Sequence, residues 1–173
     1  MDWYGVMIEE HMVILRAVEA LKIYSGKLAS GKDVPKDILD GILDVLMNFA
    51  DRCHHAKEET VLFPLLLKKG PQHREMVDSL LSEHAQGRGF VRGMRSGSRD
   101  EAIKNAQEYA ALLPRHIAKE NRYFKEADGS FSADERRFLF EEFGRIEREI
   151  IGEGRHGEYL DKIKDIRNRL DAA

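Results

Sequence analysis

The sequence predicts an all-α chain: a four-helix bundle running up, down, up and down, followed by a C-terminal helical hairpin. Three observations carry this. Apolar residues recur at three- and four-residue spacing through successive segments, the period that gathers them on one helix face. Ser98-Arg-Asp-Glu101 and Ser132-Ala-Asp-Glu135 are capping boxes that open helices. The breaks between segments are short stretches bearing glycine or proline, which favours antiparallel neighbours, and strand propensity is low throughout. The bundle is expected over residues 1–130 and the helical extension over 131–173.

The first helix is expected from about Asp2 to Lys27, with Ile8, His11, Leu15, Val18 and Leu21 at helical spacing; Gly26 and Ser30-Gly31-Lys32 end it. The second starts near Pro35, a residue tolerated in a first helical turn, and runs to about Lys69. Pro64 lacks a donor and is expected to kink its last third. Gly70-Pro71 opens a third helix, about Gln72 to Met94, with Met76, Leu80, His84 and Val91 on one side. Gly87, Gly89 and Gly93 weaken it by about 1 kcal/mol each relative to alanine, and read equally as close helix approach or as flexibility. The fourth helix follows Ser98 to about Ala127, and Pro114 is expected to bend it next to His116. Ser132 starts a helix striped with Leu139, Phe143, Ile146 and Ile150. After Gly152 and Gly154 a last helix carries Tyr159, Ile163, Ile166 and Leu170. These stripes have to pack on the bundle's flank or on a second copy of the chain, so a homodimer through the C-terminal helices is one expectation.

Composition narrows the function classes. A chain of 173 residues, 42% hydrophobic and 34% charged, has enough apolar surface for one real core. Its net charge of -3, with acids and bases interspersed, gives no reason to expect nucleic acid or a membrane surface as partner. The single cysteine, Cys53, excludes an intrachain disulfide and any cysteine-rich zinc or iron–sulfur site, and fits a reducing cytoplasm. Met1-Asp2-Trp3-Tyr4 lacks the features of a secretory leader, and no apolar run approaches the roughly 18 residues of a membrane span, so a cytoplasmic protein is expected. No Ser/His/Asp or Cys/His catalytic arrangement and no phosphate-binding glycine loop stands out.

The informative feature is a repeat. His55-Ala-Lys-Glu-Glu59-Thr-Val-Leu-Phe63 returns as His116-Ile-Ala-Lys-Glu120-Asn-Arg-Tyr-Phe124. Residues i and i+4 share a helix face, so each copy aims an imidazole and a carboxylate at one spot. Imidazole and carboxylate together suit a borderline transition metal. The second helix also offers an overlapping register, His54 with Glu58. Apolar periodicity slightly favours that one, through Leu43, Met47, Ala50, Val61 and Leu65, whereas the repeat favours His55 with Glu59 and sets the expected frame. His54, His73 and His156 then read as surface residues, Cys53 as a small packing residue, and Glu10, Glu58 and Glu83 as outer partners or simply solvated charges. With four helices alternating in direction, His11, His55, Glu59, His84, His116 and Glu120 fall in a slab roughly 10 Å deep at about 1.5 Å rise per residue. Unrelated core histidines would scatter along the bundle.

The ordered set Glu10-His11, His55-x-x-x-Glu59-x-x-Leu-Phe-Pro64, Glu83-His84 and His116-x-x-x-Glu120 resembles the hemerythrin-like, or HHE cation-binding, domain over roughly residues 2 to 127. The resemblance implies a four-helix bundle around a non-haem di-iron centre. It implies His11, His55, His84 and His116 as terminal metal ligands, with Glu59 and Glu120 bridging two iron ions. Manganese or zinc would suit the same donors. Oxygen-carrying members have a His-x-x-x-His pair on the third helix and an aspartate five residues after the last histidine; here those positions are Arg88 and Asn121. The expected function is therefore binding or sensing of a small oxidant (oxygen, nitric oxide or peroxide) ahead of oxygen transport. An enzyme removing peroxide or nitric oxide, or an iron storage or handling protein, is the alternative. Within the four expected bundle helices the Glu-x-x-His spacing of ferritin-like di-iron proteins is absent.

Overall fold

The computed structural model describes residues 2–152 and 155–172; Gly154, expected in the last interhelical break, lies outside them. Helix α1 (Trp3–Ala29) is capped by Asp2, whose side chain accepts from the Gly5 amide at 2.7 Å. The second rod begins as α2 (Lys36–Asp44), winds as a π-helix over Val45–His55 and again over Glu58–Leu62, and ends as α3 (Phe63–Lys69). A 3-10 turn at Pro71–His73 leads into α4 (Arg74–Ser96), and α5 spans Arg99–Asp128. The hairpin is α6 (Ala133–Ile150) and α7 (His156–Ala172). No strand occurs among the described residues.

Cross-links between helices give the topology. Trp3 at the start of α1 donates to Asp128 at the end of α5 (2.9 Å), while Arg99 at the start of α5 reaches the Lys32 carbonyl just past the end of α1 (3.0 Å). Lys119 donates to Ser79, and a Cβ on Gly93 would run into Asn105, so α4 and α5 are antiparallel as well. Arg88 with Asp51 and His84 with Glu59 make α4 antiparallel to the second rod. Both capping boxes form: the Ser98 and Ser132 hydroxyls accept from Glu101 and Glu135 amides, each glutamate accepting in return. Such caps contribute about 1 kcal/mol each.

Two expectations concern proline. Helix α5 continues through Pro114 to Asp128 without a break. Pro64 follows directly on the second π segment, and the rod stays helical on both sides of it. The second rod departs from α geometry upstream of that proline, in its two π segments, where i→i+5 bonding fits an extra residue into a turn.

The apolar core is split. One cluster, around Leu21, Ile42, Phe49 and Leu170, fills one end; the other, around Trp3, Phe63, Leu80, Phe124 and Phe143, fills the opposite end. Between them runs a layer of buried histidines and glutamates. The hairpin lies along α1 and the second rod and contributes to both clusters, with Leu139 and Phe143 from α6 and Ile163, Ile166 and Leu170 from α7. Phe143→Ala should therefore destabilise the whole chain by about 3–5 kcal/mol, as expected for a fully buried aromatic. Denaturant unfolding followed by circular dichroism checks this; a loss below about 1 kcal/mol would mean the hairpin is a loosely attached appendage.

Candidate metal centre

The polar layer holds five histidines and two glutamates in two groups: His11, His54, Glu58 and Glu120, and beside them His55, His84 and His116. Within each group every residue offers one ligand atom within 4.8 Å of the others. All seven are buried. In the first group His11 Nε2 and His54 Nε2 face each other at 3.0 Å; in the second, His84 Nε2 and His116 Nε2 are 3.2 Å apart. His55 stacks on His84 with ring centroids 3.8 Å apart.

The glutamates span both groups. Glu58 places Oε1 at 3.5 Å from His54 Nε2 and Oε2 at 3.4 Å from His84 Nε2. Glu120 places Oε2 at 3.3 Å from His11 Nε2 and Oε1 at 3.0 Å from His116 Nε2. None of these four carboxylate oxygens has a well-aligned hydrogen-bond donor, although both side chains are 0% exposed. A buried carboxylate without partners costs several kcal/mol or more, so two side by side call for positive charge between them.

The imidazoles point to the same need. His54 Nδ1 faces Glu10 at 2.8 Å, His84 Nδ1 faces Glu59 at 2.7 Å, and His116 Nδ1 faces Glu83 at 2.7 Å. His55 Nδ1 faces Asp51 at 3.2 Å, and His11 Nδ1 the Asn121 side-chain oxygen at 2.6 Å. An acceptor at Nδ1 keeps the proton there, which leaves the Nε2 lone pair aimed inward. Lone pairs converging on carboxylate oxygens are a donor set for a cation, and the fit is good.

Of the residues expected from the sequence, the structure brings His11, His55, His84, His116 and Glu120 together. It does not bring Glu59 with them. Glu59 is partly exposed and binds His84 Nδ1 and the Arg88 guanidinium (2.8 Å) from outside. Glu58 takes the inner place, and His54, expected at the surface, is buried opposite His11. The reason lies in the π segment over Glu58–Leu62. Phe63 and Phe124 pack at 6.4 Å in the same core cluster, yet Phe63 follows Glu58 by one residue more than Phe124 follows Glu120. The wider turn absorbs the extra residue, so the gapless repeat keeps register at the phenylalanines and loses it at the glutamates. The longer π segment, Val45–His55, ends at two consecutive histidines that both face the interior. The Leu43–Ala50–Val61 stripe was the available signal for His54.

A hemerythrin HHE cation binding domain profile matches residues 4–127. The chain belongs to the hemerythrin HHE cation-binding domain family. No curated protein and no solved structure matches it. The two positions where this HHE domain departs from the oxygen-carrying pattern have outer roles: Asn121 holds His11, and Arg88 ties Glu59 to Asp51 (2.7 Å to the latter).

Behind the His11–His54 side lies a second layer. Glu10 holds His54 and is ion-paired with Lys57, itself 0% exposed, which also reaches Glu147 of α6 at 3.4 Å. Burial alone would raise the Glu10 carboxyl, but the His54 hydrogen bond and the Lys57 charge outweigh it and hold it at about 2. Glu10, Glu147 and His156 also lie close enough to hold a cation, but the Lys57 ammonium already sits against two of them. His156 is half-buried against Glu147, and His73 is buried against the Tyr123 hydroxyl at 2.8 Å, so neither is the surface residue expected. Cys53 is fully buried, and burial pushes its thiol up to about 12, which makes it an inert packing residue. Among the described residues no helix is long and apolar enough to cross a membrane.

Without a cation the two glutamates cannot both ionise. Burial and the Glu120 charge push Glu58 well up, while His116, His11 and His84 together overcome burial and hold Glu120 well down. Burial pushes His54 down to about 4 and His55 down to about 3 from the ordinary 6.5. The unfolded chain therefore binds more protons than the folded chain between these values, and stability falls as pH falls through that window. Glu10, held below its ordinary 4.5, adds to the loss between 4.5 and about 2. Glu58, held above its ordinary 4.5 by burial and Glu120, has the opposite sign and offsets one of the two imidazoles above that pH. Against burial, Glu120 and Glu59 raise His84, so its contribution also has the opposite sign and is lost above the ordinary 6.5. The melting temperature of chelator-treated protein should fall steadily from pH 6.5 to pH 4; a flat profile there would show that these imidazoles are not neutral in the fold.

Proposed function

We propose that this HHE domain binds two metal ions, iron in the physiological state, and serves to bind or sense a small oxidant such as oxygen, nitric oxide or peroxide. His11 and His54 would hold one ion and His55, His84 and His116 the other, with Glu58 and Glu120 shared. The observation that carries the reading is the pair of donor-less buried carboxylates, each with one oxygen toward either imidazole group. Imidazole with carboxylate suits iron, and equally admits manganese or zinc, so metal identity rests on the family and not on the donors. When bound, two iron ions supply a redox-active centre for such a molecule. The chain's own residues do the rest: the outer acceptors on Nδ1 fix each ring, and the two apolar clusters bound the layer at its two ends.

Binding or sensing is preferred to turnover because, among the described residues, every polar side chain of the layer itself is in ligand or outer-partner geometry. Steady consumption of peroxide by the iron-loaded protein would move the reading to an enzyme. A homodimer would use α6, whose Phe138 and Phe140 remain exposed at 48% and 43%. A reducing cytoplasm suits the lone buried thiol.

Metal analysis of purified, iron-reconstituted protein should give two ions per chain. His54→Ala and Glu58→Gln should each lose at least half of that metal. Glu59→Gln should keep both ions, with affinity lowered by about 10–100-fold through loss of an outer partner. A single ion per chain, or metal lost from Glu59→Gln and kept in Glu58→Gln, would sink this assignment.

A further inference from the structure

One cavity opens from solvent directly onto the three-histidine group. It has a volume of about 220 Å³, its base is formed by His55, His84 and His116, and its walls are the apolar side chains of Leu46, Met47, Val91 and Leu112. Nothing in the binding of a diatomic molecule requires a chamber of this size and apolarity.

The mouth has a charge bias. Arg52, Arg88, Arg92 and Arg95 all line the cavity. Arg88 is neutralised by Asp51 and Glu59. Among the described residues Arg52 donates only to the neutral Asn48 side chain, at 3.2 Å. Arg92 and Arg95 are exposed and meet no carboxylate among the described residues. The acids nearby are already engaged: Glu83 takes Lys119 and His116, and Asp51 takes Arg88 and His55. The rim is therefore cationic over an apolar chamber. Inside, Tyr109 is buried, and no group among the described residues hydrogen-bonds its hydroxyl. A phenol that lines a cavity and lacks a partner is free to orient whatever enters.

We propose that this cavity binds a small organic acid with an apolar body, the acid group held by Arg92 and Arg95 at the rim and the body lying against Leu46, Val91 and Leu112 toward the histidines. Guanidinium recognises a carboxylate with paired donors, and desolvated apolar walls select against small hydrophilic anions. The site rests on the cavity itself and not on the metal reading.

The probe is octanoate, with octanamide as its neutral counterpart, titrated calorimetrically into metal-loaded protein. Octanoate should bind at least tenfold tighter than octanamide. The Arg92→Gln, Arg95→Gln double variant should bring octanoate down to the octanamide level. Gly87→Leu should abolish binding, because Gly87 lines the cavity and a Cβ there would already lie 3.5 Å from the Tyr109 ring. Leu112→Trp fills the same space from α5 and serves if Gly87→Leu does not fold; metal content should be unchanged in whichever folds. Equal affinity for acid and amide, no binding to the wild type, or binding that survives the filling variants would each overturn the proposal. So would binding that is indifferent to the arginines and vanishes on chelation, since the acid would then be a ligand of the metal. If metal analysis finds no ions while the arginine and filling variants behave as expected, the metal reading fails and the cavity assignment stands.

Discussion

The constraint on which the rest of this structure depends is the burial of two carboxylates, Glu58 and Glu120, side by side without a hydrogen-bond donor. Left alone, such a pair would unfold the layer or hold a proton between them, since desolvation and mutual repulsion both oppose the second charge. Five imidazoles arranged with Nε2 inward relieve that strain only partly, because a neutral imidazole whose Nδ1 carries the proton offers a lone pair and not a donor. Cationic charge at the centre satisfies the glutamates and the imidazoles together, which is why the same geometry reads as a cation site from either set of side chains. A purely structural polar layer would be expected to show donors matched to acceptors.

The outer layer explains why the site is spread over the whole fold. Each Nδ1 is held by a residue on the ligand's own helix or a neighbouring one: Asp51 lies a turn before His55, whereas Glu10, Glu59, Glu83 and Asn121 reach across. On the His11–His54 side the chain of contacts continues from Glu10 to Lys57 and on to Glu147 in α6. Lys57 is wholly buried, and breaking such a pair by removing one partner costs about 3–5 kcal/mol because the other charge is stranded. The hairpin, which puts no side chain into the layer, is thereby tied to the orientation of His54.

How much of this was legible follows from which rules the backbone obeys. Helices α1, α4 and α5 are regular, and there the spacing, repeat and depth read from the sequence point to the positions at which His11, His84, His116 and Glu120 lie in the buried layer. The second rod is not regular. A sequence repeat carries no mark of a π turn, so the frame transferred from His116–Glu120 selected Glu59, one residue past the side chain that faces the layer. The apolar stripe of the rod favours His54 and the repeat favours His55; the wide turn presents both to the interior. The same unwinding explains the imidazole count. The fifth histidine comes from the second rod instead of the third helix, where Arg88 occupies the position four residues after His84.

The two imidazole groups are unequal in a way that bears on the proposed chemistry. His55, His84 and His116 form the base of an open cavity, whereas His11 and His54 lie buried behind Glu10, Lys57 and the hairpin. With both glutamates shared, the ion on the His11–His54 side would have one protein ligand fewer and so more room for an exogenous one. Access and coordinative room are therefore on opposite sides of the layer. A molecule as small as a diatomic crosses packed protein through side-chain fluctuations on fast timescales and needs no permanent opening. A permanent, apolar, arginine-rimmed opening on the more crowded side is hard to explain as a path for that molecule. It is better explained as a place for a larger one that lies beside the centre without ligating it, where it would press on the rings of His55 and His84 and on the Tyr109 edge. On that argument the cavity and the metal layer are adjacent sites with a shared wall, and the three histidines are that wall.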